Sequence, residues 1–534
     1  MPAKVDNPAP AESVVRSAGL VSLAMGMSRI TGLVREIVMA RLFGAGFVYD
    51  AFLLGFRIPN LTRDLFAEGA LSSAFVPIFT QTLEQKGRKE AALLSNLVAT
   101  GLIIVVGLFC LLGIVFTPAW VNLLASGFHQ VPGKFELSLK LTRIMFAFLL
   151  LVALAAQAMG VLNACNHFAV PALASTFFNI GSVVFGLLLG YVAGPHIGIE
   201  PITGMAVGVV LGGALQLLWQ VPALRAEGFR FRPTINWGHP MLRKIFRLMG
   251  PAIIGNAAVQ INVLVITNFA SRIPGNGPVS WLAYSFRFMQ LPLGLFGVAI
   301  ASATLPAISR SAGIGDFDQF RRTLSKSLGL VFLLTAPSAV GLIVLGRTMI
   351  AAIYQGGKFS AFDTDQTAVA LSCYALGLAG YSVLKVLNPA FYALHDARTP
   401  MLISLLSIAV NYLIASVLMR YTELGHAGLA LSTAAVATFG GLTLFVILRN
   451  RIDGIYGRNL IESIWKIALA AAIMGVAISM SSHFAEAWLG TGRLAQLADL
   501  AISIPLGLLV FYGACRILRV SELELATRAL VRAR

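Results

Sequence analysis

The chain is poor in charge: only 12% of its 534 residues are Asp, Glu, Lys or Arg, about half of what soluble domains carry. That shortage excludes a soluble enzyme and an acidic disordered segment. Cysteine is scarcer still. Cys110, Cys165, Cys373 and Cys515 are the four in the chain, without a CxxC or metal-ligand spacing, which excludes a disulfide scaffold and a zinc module. No Ser-His-Asp set, phosphate loop or metal motif is found, and His167, His395 and His426 fall near expected helix ends. What remains is 57% hydrophobic residues and a mean hydropathy of +0.82. The expected class is an all-α polytopic membrane protein.

A spanning helix needs about 20 mainly apolar residues. Such runs lie near 17–42, 50–82, 91–118, 138–163, 168–193, 202–224, 244–271, 279–309, 322–345, 364–394, 400–419, 426–448, 462–482 and 496–517. Fourteen spans are therefore expected. Basic residues crowd the even-numbered connections: Lys86, Arg88 and Lys89, then Arg225 through Lys244, then Arg310 through Arg322, then Arg398, then Arg449 through Arg458. The positive-inside rule then puts both termini in the cytoplasm, as an even count requires. The net charge of +17 reads as cytoplasmic loops facing anionic lipid, with no nucleic-acid partner. The first 16 residues show no cleavable signal, so the first span is expected to direct insertion.

The chain also repeats itself. Phe56-Arg57, Phe66 and Ser72 recur as Phe286-Arg287, Phe296 and Ser302 at an offset of 230, and Asn166 through Pro171 aligns with His395 through Pro400 at an offset of 229. The expected organisation is a cytoplasmic segment 1–16, a first six-helix lobe 17–225, a basic linker 226–243, and a second lobe 244–450. Two extra helices follow over 451–520, then a basic tail 521–534. Lobes of six helices share one membrane orientation, so a pseudo-twofold axis along the membrane normal is expected, with a transport site between the lobes.

Charges interrupt the apolar helices. Arg29, Arg35 and Glu36 fall in the first, Arg57, Arg63, Asp64 and Glu68 in the second, and Arg287 in the eighth. Each would cost about 2.5–3.5 kcal/mol at the bilayer centre, so they should face a wet cavity or pair with one another. Arg29 and Glu36, seven apart, share a helix face, as do Arg57 and Asp64. The fork of an arginine suits phosphate oxygens. Pro59 and Pro292 remove backbone donors inside helices and are expected kinks. Lys385 reads as a snorkelling or packing residue. Asn256, Gln260 and Asn262 could hold a cation, though interhelical hydrogen bonding is the stronger expectation.

The run Ser28-Arg29-Ile30-Thr31-Gly32-Leu33-Val34-Arg35-Glu36, then Ala40 through Gly46, Tyr49-Asp50-Ala51-Phe52, and Phe56-Arg57-Ile58-Pro59-Asn60-Leu61 closely resembles the MurJ (MviN) family. So do Phe66 through Ala70, Phe75-Val76-Pro77, Gly250-Pro251-Ala252, Val279-Ser280-Trp281, Leu305-Pro306, Tyr354 through Phe359, and Thr399-Pro400. The resemblance implies a lipid II flippase of the multidrug/oligosaccharidyl-lipid/polysaccharide exporter superfamily in the bacterial inner membrane. It implies functional charges at Arg29, Arg35, Asp50, Arg63, Glu68 and Arg287, and a lipid-tail groove on the last two helices. Some members carry carboxylates where Phe286 and Gln290 stand here, and some bind sodium.

The expected function is translocation of undecaprenyl-diphosphate-linked peptidoglycan precursor by alternating access. Substrate contacts would come from Arg29, Arg35, Arg63 and Arg287, and structural or gating charges from Glu36, Asp50, Arg57, Asp64 and Glu68. No catalysis and no cofactor are expected beyond a coupling cation such as sodium or a proton. Partners would be lipid II, membrane lipids and cell-wall synthesis enzymes, around a monomer. The alternative is an exporter of another lipid-linked oligosaccharide or of drugs. A membrane phosphatase or glycosyltransferase would require the acid/base or metal constellation that is missing, and a scaffold would tolerate loss of the charges.

Overall fold

The structure is a computed structural model and describes residues 11–63, 71–455 and 457–532, with side chains omitted at 11–20, 22, 62–63, 72–73, 250–256, 457–459 and 528–532. Among the described residues the fold is helical, with one isolated antiparallel bridge at Gly356 and Phe359. The helices are α1 (Ala11–Phe43), α2 (Phe47–Arg63), α3 (Ser72–Val115), α4 (Thr117–Ala125), α5 (Lys134–Ala164), α6 (Ala169–Leu187), α7 (Gly194–Ile197) and α8 (Pro201–Ala226). They continue as α9 (Pro240–Ser271), α10 (Pro278–Pro292), α11 (Ala299–Gly313), α12 (Phe317–Tyr354), α13 (Ala361–Leu376), α14 (Leu378–Ala393) and α15 (Arg398–Tyr421). The last four are α16 (Gly425–Arg451), α17 (Gly457–Leu489), α18 (Arg493–Ile517) and α19 (Ser521–Arg532). Among the described residues, ten helices are long and apolar enough to cross a membrane, or eleven if the pair α13 and α14, bent by 43°, is one span. The chain is thus a multi-span membrane protein.

Sequence and structure differ in detail where backbone geometry intervenes. The second and third expected spans meet inside α3, whose helical hydrogen bonding runs through a break at Gly87 (φ 82°, ψ 178°). The eighth is continued past Pro292 by a π-helical turn over Leu293–Val298. Proline withholds an N–H, and a widened turn is one way to re-pair the freed carbonyls. The tenth is broken at Gly377, whose place in the fold brings it against Ala434 of α16: a Cβ there would lie 2.6 Å from the Ala434 Cα.

The chain divides into two compact units. The first comprises the residues up to Phe43 and Phe47–Gln260; the second comprises Gly44–Gly46 and Ile261–Arg534, so the division falls within α9. In the first unit α8 carries Gly204, Gly208 and Gly212 at four-residue spacing, facing α6 and the π-helical turn that follows it. A Cβ on Gly208 would sit 2.6 Å from the Gly186 Cα, and one on Gly204 2.4 Å from the Gly190 N. Small residues at this spacing let backbones touch, which is what packs helices where lipid offers no hydrophobic drive. In the second unit, Met474, Ile478, Phe511 and Cys515 bury α17 and α18 against Leu333 and Leu345 of α12.

Helix ends share one closure. Asn166 (φ 63°), His395 (φ 56°), Asp453 (φ 52°) and Arg519 (φ 54°) are left-handed without being glycine, and Gly228 and Gly315 adopt the same region. Each is followed by an N–H that reaches back to a carbonyl in the last helical turn, as His167 N to Leu162 O (2.9 Å) and Asp396 N to Phe391 O (2.9 Å). This is the Schellman closure, which satisfies carbonyls that a helix end leaves open.

Candidate functional site

In the first unit the expected charges part company. Arg29 is exposed on α1, and among the described residues no carboxylate pairs with it. Seven residues on, Glu36 is 4% exposed, so the shared face runs from open to covered along the helix. Arg35 sits between two aromatic rings, its guanidinium carbon 5.3 Å from the centroid of Phe178 and 5.7 Å from that of Phe56. Phe148 packs against both, with centroids at 5.1 and 5.8 Å. An arginine stacked on rings keeps its planar fork free of water on its faces while its edge N–H groups remain donors. The nearest Arg35–Glu36 approach is 4.0 Å, a weak ion pair. Arg57 is half-buried on α2 with Pro59 buried two residues on. Arg63 closes α2, but its side chain, like the whole of Asp64 and Glu68, lies outside the described residues.

Asp50 stands apart from these. It is fully buried and accepts a 2.8 Å hydrogen bond from Lys134 Nζ, itself 2% exposed. The ammonium also lies 4.5 Å from the Phe128 ring centroid. A dry ion pair holds only when its geometry is complete, and removing one partner strands the other. The pair ties the start of α2 to the start of α5 and is a structural staple. The sequence signal for Lys134 is its position at the mouth of an apolar helix.

In the second unit Arg287 is exposed on α10. Its neighbour Phe286 lies edge-on to Tyr374 at 5.3 Å, and Gln290 is exposed. No carboxylate occupies either position. Asn262 donates to Ser407 Oγ (3.1 Å) and accepts from Asn411 Nδ2 (3.0 Å), while Ser432 donates to Asn411 Oδ1 (3.3 Å). These amides are engaged with one another across α9, α15 and α16, which is the interhelical bonding their composition favours. The Asn256 side chain lies outside the described residues, and Lys385 is exposed. Among the described residues no cluster of three or more His, Cys, Asp or Glu could hold a metal.

Two polar features escaped the sequence. Asp499, a lone acid in the apolar run of α18, is 5% exposed and accepts from Ser482 of α17 (2.6 Å) and Ser503 (2.7 Å). It lines a small pocket of about 30 Å³ with Arg347, Glu486 and Gln496. The second feature is a pair of ionic latches at the turns. His167 Nε2 donates to Glu227 Oε1 (2.7 Å), and Arg88 NH2 to Glu227 Oε2 (3.0 Å). The His167 hydrogen bond is the chief reason the Glu227 carboxyl lies below the usual carboxylate range. In the second unit Asp396 accepts from Thr399 Oγ1 (2.6 Å), from the N–H groups of Arg398 and Thr399, and from Arg451. These bonds, led by that of Thr399, hold its pKa down at about 2.

Arginines on apolar helices, one cradled by aromatic rings, invite comparison with known transporters. The family model described as lipid II flippase MurJ matches residues 39–498. The chain belongs to the MurJ family. A lipid II flippase MurJ of Burkholderia cenocepacia is 36% identical over 437 residues, covering 80% of this chain and 82% of that protein. A probable lipid II flippase MurJ of Vibrio cholerae is 32% identical over 96% of this chain and 98% of its own. A solved MurJ in an inward closed conformation superposes with a TM-score of 0.76 at 26% identity, covering 93% and 99% of the two chains. An inward-facing multidrug resistance MATE transporter of the MOP superfamily gives 0.63 at 14% identity over 81% and 94%, a likeness of fold alone.

Proposed function

We propose that this MurJ chain is a lipid II flippase of the bacterial inner membrane, moving the undecaprenyl-diphosphate-linked precursor from the cytoplasmic to the outer leaflet by alternating access. Both termini face the cytoplasm in this reading, and α1, α2 and α9 join the apolar helices to make fourteen spans. Two six-helix lobes over 17–225 and 244–450 do the moving, and α17 and α18 serve the lipid tail. The single observation that carries it is the state of the arginines: Arg29 and Arg287 stand exposed on long apolar helices, and Arg35 is held by Phe56 and Phe178. Exposure of three such charges to hydrocarbon would cost about 8–10 kcal/mol, so they meet water or a polar ligand. The diphosphate and sugar headgroup is that ligand, with Arg63 as the fourth contact.

No covalent bond changes during the cycle. The membrane potential supplies about 2.3 kcal/mol per charge per 100 mV, enough to reset an empty cationic site; a sodium or proton gradient is the competing source. A monomer, alone or beside cell-wall enzymes, suffices for this chemistry. The test uses cells depleted of their own flippase and expressing either this chain or Arg287→Ala at equal membrane levels. Labelling of lipid II at the outer surface is restored by the parent and at least tenfold lower in the variant. Equal labelling by both would remove Arg287 from the headgroup site, and a well-expressed parent that restores nothing would point to another lipid-linked sugar.

A further inference from the structure

The connection between α8 and α9 is built unlike the others. Its backbone is pinned to α3: Arg232 N donates to Asn96 Oδ1 (3.2 Å) and Thr234 N to Thr100 Oγ1 (3.1 Å). Phe229 is driven inward against Phe79, with centroids 5.7 Å apart. Although held this firmly, the segment turns its other large apolar groups outward. Ile235 is 67% exposed and Trp237 44%, and Trp237 stacks on the exposed Phe246 at 6.2 Å. Beneath Ile235 and Trp237 lies a shallow groove floored by Leu97, Gly101 and Ile104 of α3.

The exposed charges of this segment are of one sign. Arg225, Arg230, Arg232, Arg243, Lys244 and Arg247 are all exposed, and the one acid between 225 and 248, Glu227, is already engaged by Arg88 and His167. The patch continues directly from the end of α8, a helix long and apolar enough to span, so it lies where a bilayer surface would be. Aromatic rings beside basic groups are the composition of an interfacial anchor.

We propose that residues 229–247 form a docking surface for anionic phospholipid. The exposed Ile235, Trp237 and Phe246 side chains lie against the upper methylenes of an acyl chain, and the guanidinium and ammonium groups of the same segment take the phosphate. The occupant is a lipid because it offers both halves at once: methylenes for the exposed apolar side chains, and a phosphate for a basic segment whose one acid is already engaged. Each basic group near an anionic surface is worth about fivefold in association.

The experiment uses the full chain in nanodiscs of phosphatidylcholine containing 30% phosphatidylglycerol. Bromine is carried on either the anionic lipid or an equal amount of the zwitterionic one. Subtracting the fluorescence of Trp237→Phe isolates Trp237. The expected result is at least twofold stronger quenching of Trp237 by the brominated anionic lipid. That excess disappears in Arg230→Gln/Arg232→Gln/Arg243→Gln and persists in Arg310→Gln, an exposed arginine of the second unit. Equal quenching by the two lipids in the parent overturns the selectivity, with no variant needed. Trp237 protected from iodide yet untouched by either brominated lipid overturns the proposal too, and assigns the patch to a protein partner.

Discussion

The two halves of the chain staple the same elements with opposite polarity. Lys134, at the start of α5, corresponds to Asp363 near the start of α13 at the repeat offset of 229. In the first half the base at that place holds Asp50 of α2; in the second the acid accepts the indole N–H of Trp281 of α10 at 3.0 Å. The turns repeat the inversion. His167 donates to Glu227 beyond α8, whereas Asp396, its counterpart, accepts from Arg451 at the end of α16. Backbone geometry is kept closely, with left-handed Asn166 and His395 and matching 2.9 Å closures. A staple needs a donor and an acceptor in place but does not care which side supplies which. The comparison teaches that a repeat can persist in backbone and connectivity after its side-chain identities have been exchanged.

That lesson explains what the sequence did and did not reveal. Hydropathy exposed the apolar helices, because membrane burial acts on twenty residues at once. The repeat was visible only at Phe-Arg and at the helix-opening prolines, since inverted staples look unrelated when aligned by residue type. The arginines were conspicuous because charge in an apolar run is costly. Which of them are cradled was not legible: the rings around Arg35 come from Phe56 and Phe178, 21 and 143 residues away in sequence. Asp499 was missed for the opposite reason. One acid in a run of 25 looks tolerable until its serine partners on α17 are seen.

The comparison can be broken most severely at the dry pair. Lys134→Ala strands Asp50 and should cost about 3–5 kcal/mol, read as a fall in the thermal midpoint of the purified protein; Lys134→Met with Asp50→Leu should recover most of it. At the counterpart, Trp281→Phe removes one donor from buried Asp363 and should cost less, about 1–3 kcal/mol. A loss as large as that of Lys134→Ala would show the two staples to be unequal in a way their geometry does not predict.

Packing sharpens the contrast. Gly208→Ala puts a Cβ 2.6 Å from backbone on α6 and should destabilise by about 1–3 kcal/mol, whereas Gly440→Ala on α16, with its nearest atoms the Leu384 methyl carbons at 3.5 and 3.7 Å, should be close to neutral.

Acid acts on both latches in the same direction. Glu227 and Asp396 have depressed folded pKa values, so each contributes stability above its unfolded value that is lost as pH falls through its folded value. For Asp396 the window runs from the ordinary 3.8 down to about 2. Asp396→Asn should therefore flatten the acid limb of a stability-against-pH curve there and leave its slope near neutrality unchanged. The smallest effects belong to the closures: Asn166→Gly and His395→Gly relieve left-handed backbone and should stabilise by up to about 1 kcal/mol each, seen in the same melts.

The central claim is that Arg35 serves the headgroup while Lys134 serves the fold. Its most direct test is binding of purified lipid II to the parent, Arg35→Ala and Arg35→Lys, with the melting temperature of each measured alongside. The account predicts at least tenfold weaker binding for Arg35→Ala, partial recovery with lysine because the charge returns without the stacked fork, and melting within a few degrees of the parent for both. Parental affinity in Arg35→Ala, or a loss of binding matched by collapse of the melting temperature, would contradict it.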